Sequence, residues 1–160
     1  MKVSIVTIAK DKKELIPLQS ALKKQTYKKF ELVYSTKKGI PQAWNDAIKK
    51  TKGDIIIFTE SDALPLNNNW IKELVEAIKL RNSRTVIRGI EITSMPWCWC
   101  NIVGYASTFK KNKLDENYSI GEDTELFSRL RKNGYEGLEL PIAPVIHKRK
   151  FKGFFKEVKN

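Results

Sequence analysis

Histidine and cysteine are scarce in this sequence: one histidine and two cysteines occur in 160 residues. Cys98 and Cys100 stand one residue apart, too close for an ordinary disulfide, and two thiolates are too few for a structural zinc site. Long apolar runs are also missing. Stretches such as Ile55-Ile56-Ile57-Phe58 fall far short of the roughly 20 residues that a membrane-spanning helix needs. Met1-Lys2 leads directly into Val3-Ser4-Ile5-Val6, with no small-residue cleavage site behind an apolar segment, so the chain is read as cytoplasmic. No low-complexity tract and no repeat with a period of about 20 to 50 residues interrupts it, and the length suits one domain with a substantial core. Acidic residues are outnumbered, 18 Asp and Glu against 30 Lys and Arg, for a net charge of +12. That excess favours anionic partners without choosing among them. Zinc-finger spacing, ribonucleoprotein aromatics and a recognition-helix pattern are all absent, so nucleic acid is not expected to be the partner.

What is present is an alternation of short apolar strands and one-sided helices. Residues 3–8 form a nearly continuous β-branched run suited to a strand buried on both faces. Leu15, Leu18 and Leu22 recur at helical spacing, with Pro17 early in the segment. A second strand is expected at 30–34. Gly39-Ile40-Pro41 then opens a helix with Ala43, Trp44, Ala47 and Ile48 on its apolar side, and 54–59 reads as a third buried strand. This order predicts right-handed crossovers and a doubly wound, mostly parallel α/β sheet whose ligands bind beyond the carboxyl ends of the strands. After a loop through Leu64-Pro65, Asn67-Asn68-Asn69 offers N-caps for a helix carrying Ile71, Leu74, Val75 and Ile78. Residues 86–92 and 97–105 read as further strands and 110–119 as a polar loop. A final helix begins near Gly121-Glu122 and closes at Asn133-Gly134 in a left-handed cap.

Two acidic clusters fall where such a fold builds its site. Glu60-Ser61-Asp62 follows the third strand, and two carboxylates one residue apart can turn their oxygens towards a single ion. Hard oxygen ligands select Mg2+ or Mn2+. Glu122 and Asp123 stand at the start of the last helix, where the positive end of the helix dipole favours carboxylate charge. That position suits a general base, and it equally suits simple helix capping.

Several segments taken in order closely resemble family 2 glycosyltransferases of the GT-A fold. They are Val3-Ser4-Ile5-Val6-Thr7, Gln25-Thr26-Tyr27-Lys28-Lys29-Phe30-Glu31-Leu32-Val33, Ala43-Trp44-Asn45-Asp46-Ala47-Ile48, and Gly53-Asp54-Ile55-Ile56-Ile57-Phe58-Thr59-Glu60-Ser61-Asp62. Leu114-Asp115-Glu116-Asn117-Tyr118, Gly121-Glu122-Asp123-Thr124-Glu125-Leu126-Phe127-Ser128-Arg129-Leu130 and Gly134-Tyr135 continue the series. The resemblance implies a single-domain GT-A fold over 1–147, Rossmann-like and doubly wound, followed by a basic aromatic tail at 148–160. It implies a metal-dependent, hexosyltransferase-like enzyme that moves a sugar from a nucleotide-diphospho-sugar to a hydroxyl of a carbohydrate or lipid-linked acceptor with inversion. The alternative is a catalytically silent nucleotide-sugar or glycan-binding module of the same fold. Glu60 and Asp62 take the places of the family's Asp-x-Asp metal motif, with Asp62 the stronger ligand for Mn2+ or Mg2+ and Ser61 between them at the donor. Asp123 becomes the base, with Glu122 binding the acceptor or orienting that base.

The pattern is broken at the donor end. Ser35-Thr36 stands where relatives carry an Asp that contacts the nucleobase, and Trp44 replaces the arginine of an Ala-Arg-Asn motif, as a base-stacking surface or, in the preferred reading, as core. Thr7, Ala9, Asp11, Ser35 and Asn45 are the remaining donor contacts that the resemblance implies. His147 is either a metal or diphosphate ligand, as in relatives, or an ordinary surface histidine. Trp97 and Trp99 either line an acceptor pocket or pack in the core. The tail interleaves Phe151, Phe154 and Phe155 with lysines, which suits peripheral contact with anionic lipid at the inner membrane face or a helix packed on the domain.

Overall fold

The computed structural model describes residues 1–92 and 100–147. The expectations for Cys98, Trp97, Trp99 and the 148–160 tail lie outside the described residues. Strand β1 (Val3–Ile8) is followed by a 3-10 turn (Lys12–Leu15) and α1 (Ile16–Lys23), then β2 (Phe30–Ser35), α2 (Ile40–Lys50) and β3 (Ile55–Phe58). Next come β4 (Ala63–Pro65), α3 (Trp70–Lys79), β5 (Thr85–Arg88), β6 (Glu91–Ile92), β7 (Ile102–Tyr105), α4 (Ala106–Lys111), α5 (Glu122–Lys132), β8 (Glu136–Glu139) and β9 (Val145–His147).

The main sheet has the order β2-β1-β3-β7-β5-β8, and within it only β7 runs antiparallel to its neighbours. Its central strands are buried on both faces, which explains their unbroken apolar sequence. In β3, Ile55 and Ile57 join the core formed with Leu18, Leu22 and α3, whereas Ile56 and Phe58 point into the opposite core with Trp44, Ala47, Phe109 and Leu126. Trp44 is 1% exposed and meets Phe58 edge-on at 5.5 Å between ring centroids. Its indole is core, as preferred from the sequence.

Some local expectations need correction. Asn69 occupies the N-cap position of α3 but makes no side-chain cap; a free N–H at that end, that of Ile71, instead donates to Gln25 Oε1 at 3.2 Å. The distant glutamine does the work assigned to the asparagine run. Asn69 Oδ1 is engaged elsewhere, accepting from Thr26 Oγ1 at 2.8 Å. Residues 86–92 also do not form one strand. At Gly89 an added Cβ would sit 2.6 Å from Asn101 Nδ2 and 2.8 Å from the Ile142 carbonyl, so the chain passes there only as glycine and breaks into β5 and β6. The end of α5 agrees with its sequence, with Gly134 at φ +77°.

A second, three-stranded sheet, β4-β9-β6, lies beside the first. It pairs Ala63 with His147 antiparallel and Glu91 with Val145 in parallel. The Leu64-Pro65 segment, read from the sequence as loop, is one of its strands. Buried Asn101 fastens the approaches to this sheet: Oδ1 accepts from Trp70 Nε1 at 2.8 Å, and Nδ2 donates to the Ile90 and Ala143 carbonyls at 2.8 and 2.7 Å. Its φ of +58° is a conformation that asparagine tolerates better than alanine. Asn101→Ala is expected to cost about 3 kcal/mol in chemical denaturation, since the buried Trp70 indole N–H and the Ala143 carbonyl lose a partner together, while the Ile90 carbonyl keeps the Val145 N–H.

Candidate metal and donor site

A cavity of about 740 Å³ opens at the carboxyl ends of β1 and β3. Its lining includes Lys10, Glu14 and Pro17, Ile40 and Trp44, Glu60-Ser61-Asp62 as its floor, and residues 119–124. Both acidic clusters singled out in the sequence therefore face one space. Thr7, Ala9, Asp11, Ser35 and Asn45 are not among its lining residues. Asp11 Oδ1 accepts from the N–H groups of Lys13 and Glu14, which starts the 3-10 turn. Buried Ser35 donates to Asp46 Oδ2 at 2.7 Å, and Asn45 exchanges hydrogen bonds with the backbone of Leu114 at 2.9 and 3.0 Å.

The floor is assembled by the second sheet. Glu60 and Asp62 lie in the turn between β3 and β4, and the pairing of Ala63 with His147 brings the single histidine underneath them. His147 Nε2 lies 3.1 Å from Glu60 Oε2 and 3.0 Å from Asp62 Oδ1, and the imidazole is fully buried. The surface reading of His147 is thereby excluded. On the far side of the ring, Nδ1 is 2.7 Å from Glu91 Oε1. Carboxylates face both ring nitrogens, and a carboxylate can only accept. In the tautomer that donates Nδ1–H to Glu91, the Nε2 lone pair therefore faces two carboxylate oxygens, three electron-rich atoms that a cation can bridge. These three ligand atoms lie within 4.8 Å of one another. Two carboxylates and an imidazole fit Mn2+ and admit Mg2+.

Glu91 escaped sequence reasoning. Its signal was a single acid between Ile90 and Ile92 in an apolar stretch, because a charge buried in such a run needs a partner. Its side chain is 3% exposed and also accepts from Arg88 at 3.0 Å. Cys100 Sγ, with Glu91 and His147, forms a second cluster with metal-ligating atoms. The Arg88 guanidinium on Glu91 supplies positive charge there already.

Also lining the cavity, Gly121 adopts φ +80° immediately before α5, turning the chain so that Glu122 and Asp123 open the helix. Glu122 is buried, and desolvation, reinforced by the neighbouring charges of Asp123 and Glu60, pushes its carboxyl above the ordinary glutamate range despite backbone N–H groups that favour its charge. Asp123 is half-buried, and its Oδ1 accepts from the Thr124 N–H at 2.7 Å.

The parallel sheet, the carboxylates beyond β3 and the acidic pair opening a late helix define the GT-A class of fold. The sequence pattern of glycosyl transferase family 2 matches residues 7–135, and the chain belongs to that family. Among solved structures, a mannosyltransferase from Pyrobaculum calidifontis in complex with GDP-Man and Mn2+ superposes with a TM-score of 0.80 at 12% identity, over 96% of this chain and 58% of that one. S. aureus TarS (1–349) gives 0.74 at 16% identity, over 92% and 60%. Its complex with UDP-GlcNAc gives 0.73 at 14% identity, over 95% and 60%. The chain thus spans about three-fifths of the length of these structures. No curated protein sequence matches it significantly.

Proposed function

We propose that the chain is an inverting, metal-dependent glycosyltransferase that uses a nucleotide-diphospho-sugar donor. One observation carries the reading: in a protein of net charge +12, the acids Glu60, Asp62, Glu122 and Asp123 converge on one cavity above a buried histidine. Unaided, that cavity would repel a diphosphate. Glu60, Asp62 and His147 would hold a divalent ion, which when bound offsets charge on the diphosphate and on the leaving group. The neighbours' complexes with GDP-Man and Mn2+ and with UDP-GlcNAc support this choice of ligands.

The remaining chemistry belongs to the chain's own groups. Asp123 takes the proton from the acceptor hydroxyl as the acceptor oxygen forms its bond to the anomeric carbon. The bond from that carbon to the diphosphate oxygen breaks on the opposite face, and the nucleoside diphosphate leaves with the electron pair. The configuration inverts in a single displacement, and no covalent enzyme intermediate forms. Glu122, buried beside Asp123, orients the base or the acceptor.

Calorimetry with a panel of nucleoside diphosphates, with and without Mn2+, tests this reading. At least one nucleotide is expected to bind at least about 10-fold more tightly with the metal, a difference of about 1.4 kcal/mol. No metal-dependent binding anywhere in the panel would overturn it, and binding without sugar transfer to any acceptor would favour the silent module.

A further inference from the structure

The proposed ion site accounts for one edge of the His147 ring. The other edge faces a group that the reaction does not use. Glu91, on β6, sets Oε1 2.7 Å from His147 Nδ1 and accepts from the Arg88 guanidinium at 3.0 Å through Oε2. Its side chain is almost wholly buried. Only a carboxylate accepts at both oxygens; a glutamine in its place would set an amide N–H against one of two donors. Parallel pairing of β6 with β9 places Glu91 opposite Val145, two residues before His147, so the backbone fixes where the acceptor stands relative to the ring.

We infer that Glu91 is a positioning residue for metal binding. It holds His147 in the Nδ1–H tautomer and fixes the ring plane, so that the Nε2 lone pair points at the space between Glu60 Oε2 and Asp62 Oδ1. The Arg88 guanidinium, 3.0 Å from Oε2, fixes the direction of the buried carboxylate. The inference rests on the metal site proposed above and adds a residue on a different strand, reached through the ring. A carboxylate behind a metal-bound histidine sets tautomer and orientation and raises the basicity of the ligand, and losing such a partner commonly lowers metal affinity about 10- to 100-fold.

The test is Mn2+ affinity of the full chain, measured from the electron paramagnetic resonance signal of the free ion, for wild type, Glu91→Gln, Glu91→Ala, His147→Ala and the double variant Glu91→Gln/His147→Ala. Each Glu91 variant is expected to weaken binding by about 10- to 100-fold. In the His147→Ala background, Glu91→Gln should change affinity by no more than about twofold, because its effect passes through the ring. Unchanged affinity in Glu91→Gln, or an equal loss with and without His147, overturns the inference. His147→Ala separates the two proposals: if it binds Mn2+ as tightly as wild type, the metal site itself fails and the role of Glu91 falls with it.

The single histidine gives a second readout that survives poor folding of the alanine variant. In the metal-free wild type its ring nitrogens should show Nδ1 protonated, and in metal-free Glu91→Gln the signals should shift away from that state. A fixed Nδ1–H tautomer in both proteins would refute the positioning role.

Discussion

Asp123→Ala is expected to lower kcat by about 100- to 10,000-fold, the range associated with a positioned general base, while nucleotide affinity stays within about twofold of wild type. Asp123 is the stronger choice over Glu122 because the two share a wall but not an environment. Burial and the charges of Asp123 and Glu60 push the Glu122 carboxyl upward, whereas Asp123 stands half-exposed in the first turn of α5, with the Thr124 N–H on its Oδ1. The measurement is steady-state transfer or donor hydrolysis with the nucleotide sugar whose diphosphate binds most tightly. Retained kcat in Asp123→Ala would remove it from the base position, and a collapse of nucleotide affinity instead would assign it to binding.

Asp62→Ala is expected to weaken Mn2+ by on the order of 100-fold or more and to abolish the metal-dependent part of nucleotide binding, since a directly ligating anion contributes several kcal/mol. The geometry supports a larger effect at Asp62 than at Glu60. Both oxygens face His147 Nε2 at nearly equal distance, 3.0 and 3.1 Å, but the Asp62 side chain is 46% exposed and reaches into the cavity, whereas Glu60 is 22% exposed. Calorimetry with metal alone, then with metal and nucleoside diphosphate, separates the two losses. An Asp62→Ala protein with wild-type Mn2+ affinity would mean that the ion is held elsewhere.

The first half of the chain was legible because each of its elements is long enough to show a period. The apolar runs around β1 and β3, the leucine spacing of α1 and the Pro41 start of α2 all appear where the sequence places them. What escaped is short. β4, β6 and β9 span three, two and three residues, too few for alternation to register, and their existence depends on pairing with one another across the chain. α4 was hidden for a related reason: its six residues continue directly from β7, and burial of Phe109 against Phe58, not a helical period, marks it. The acids of the site were visible as motifs, while Glu91 was concealed inside what read as one strand. The donor contacts implied by resemblance were harder still. Asn45 and Ser35 have partners in the fold that no local pattern announces, the Leu114 backbone and Asp46.

The pairing of β4 with β9 joins parts of the chain that are far apart, for Asp62 and His147 stand 85 positions from each other. An ion held between them would act as a removable staple across most of the fold. Like a covalent cross-link, it would favour the closed chain by restricting the open one, and it would come off with a chelator. Metal occupancy and resistance to unfolding would then rise and fall together, with stability following the free ion concentration by mass action.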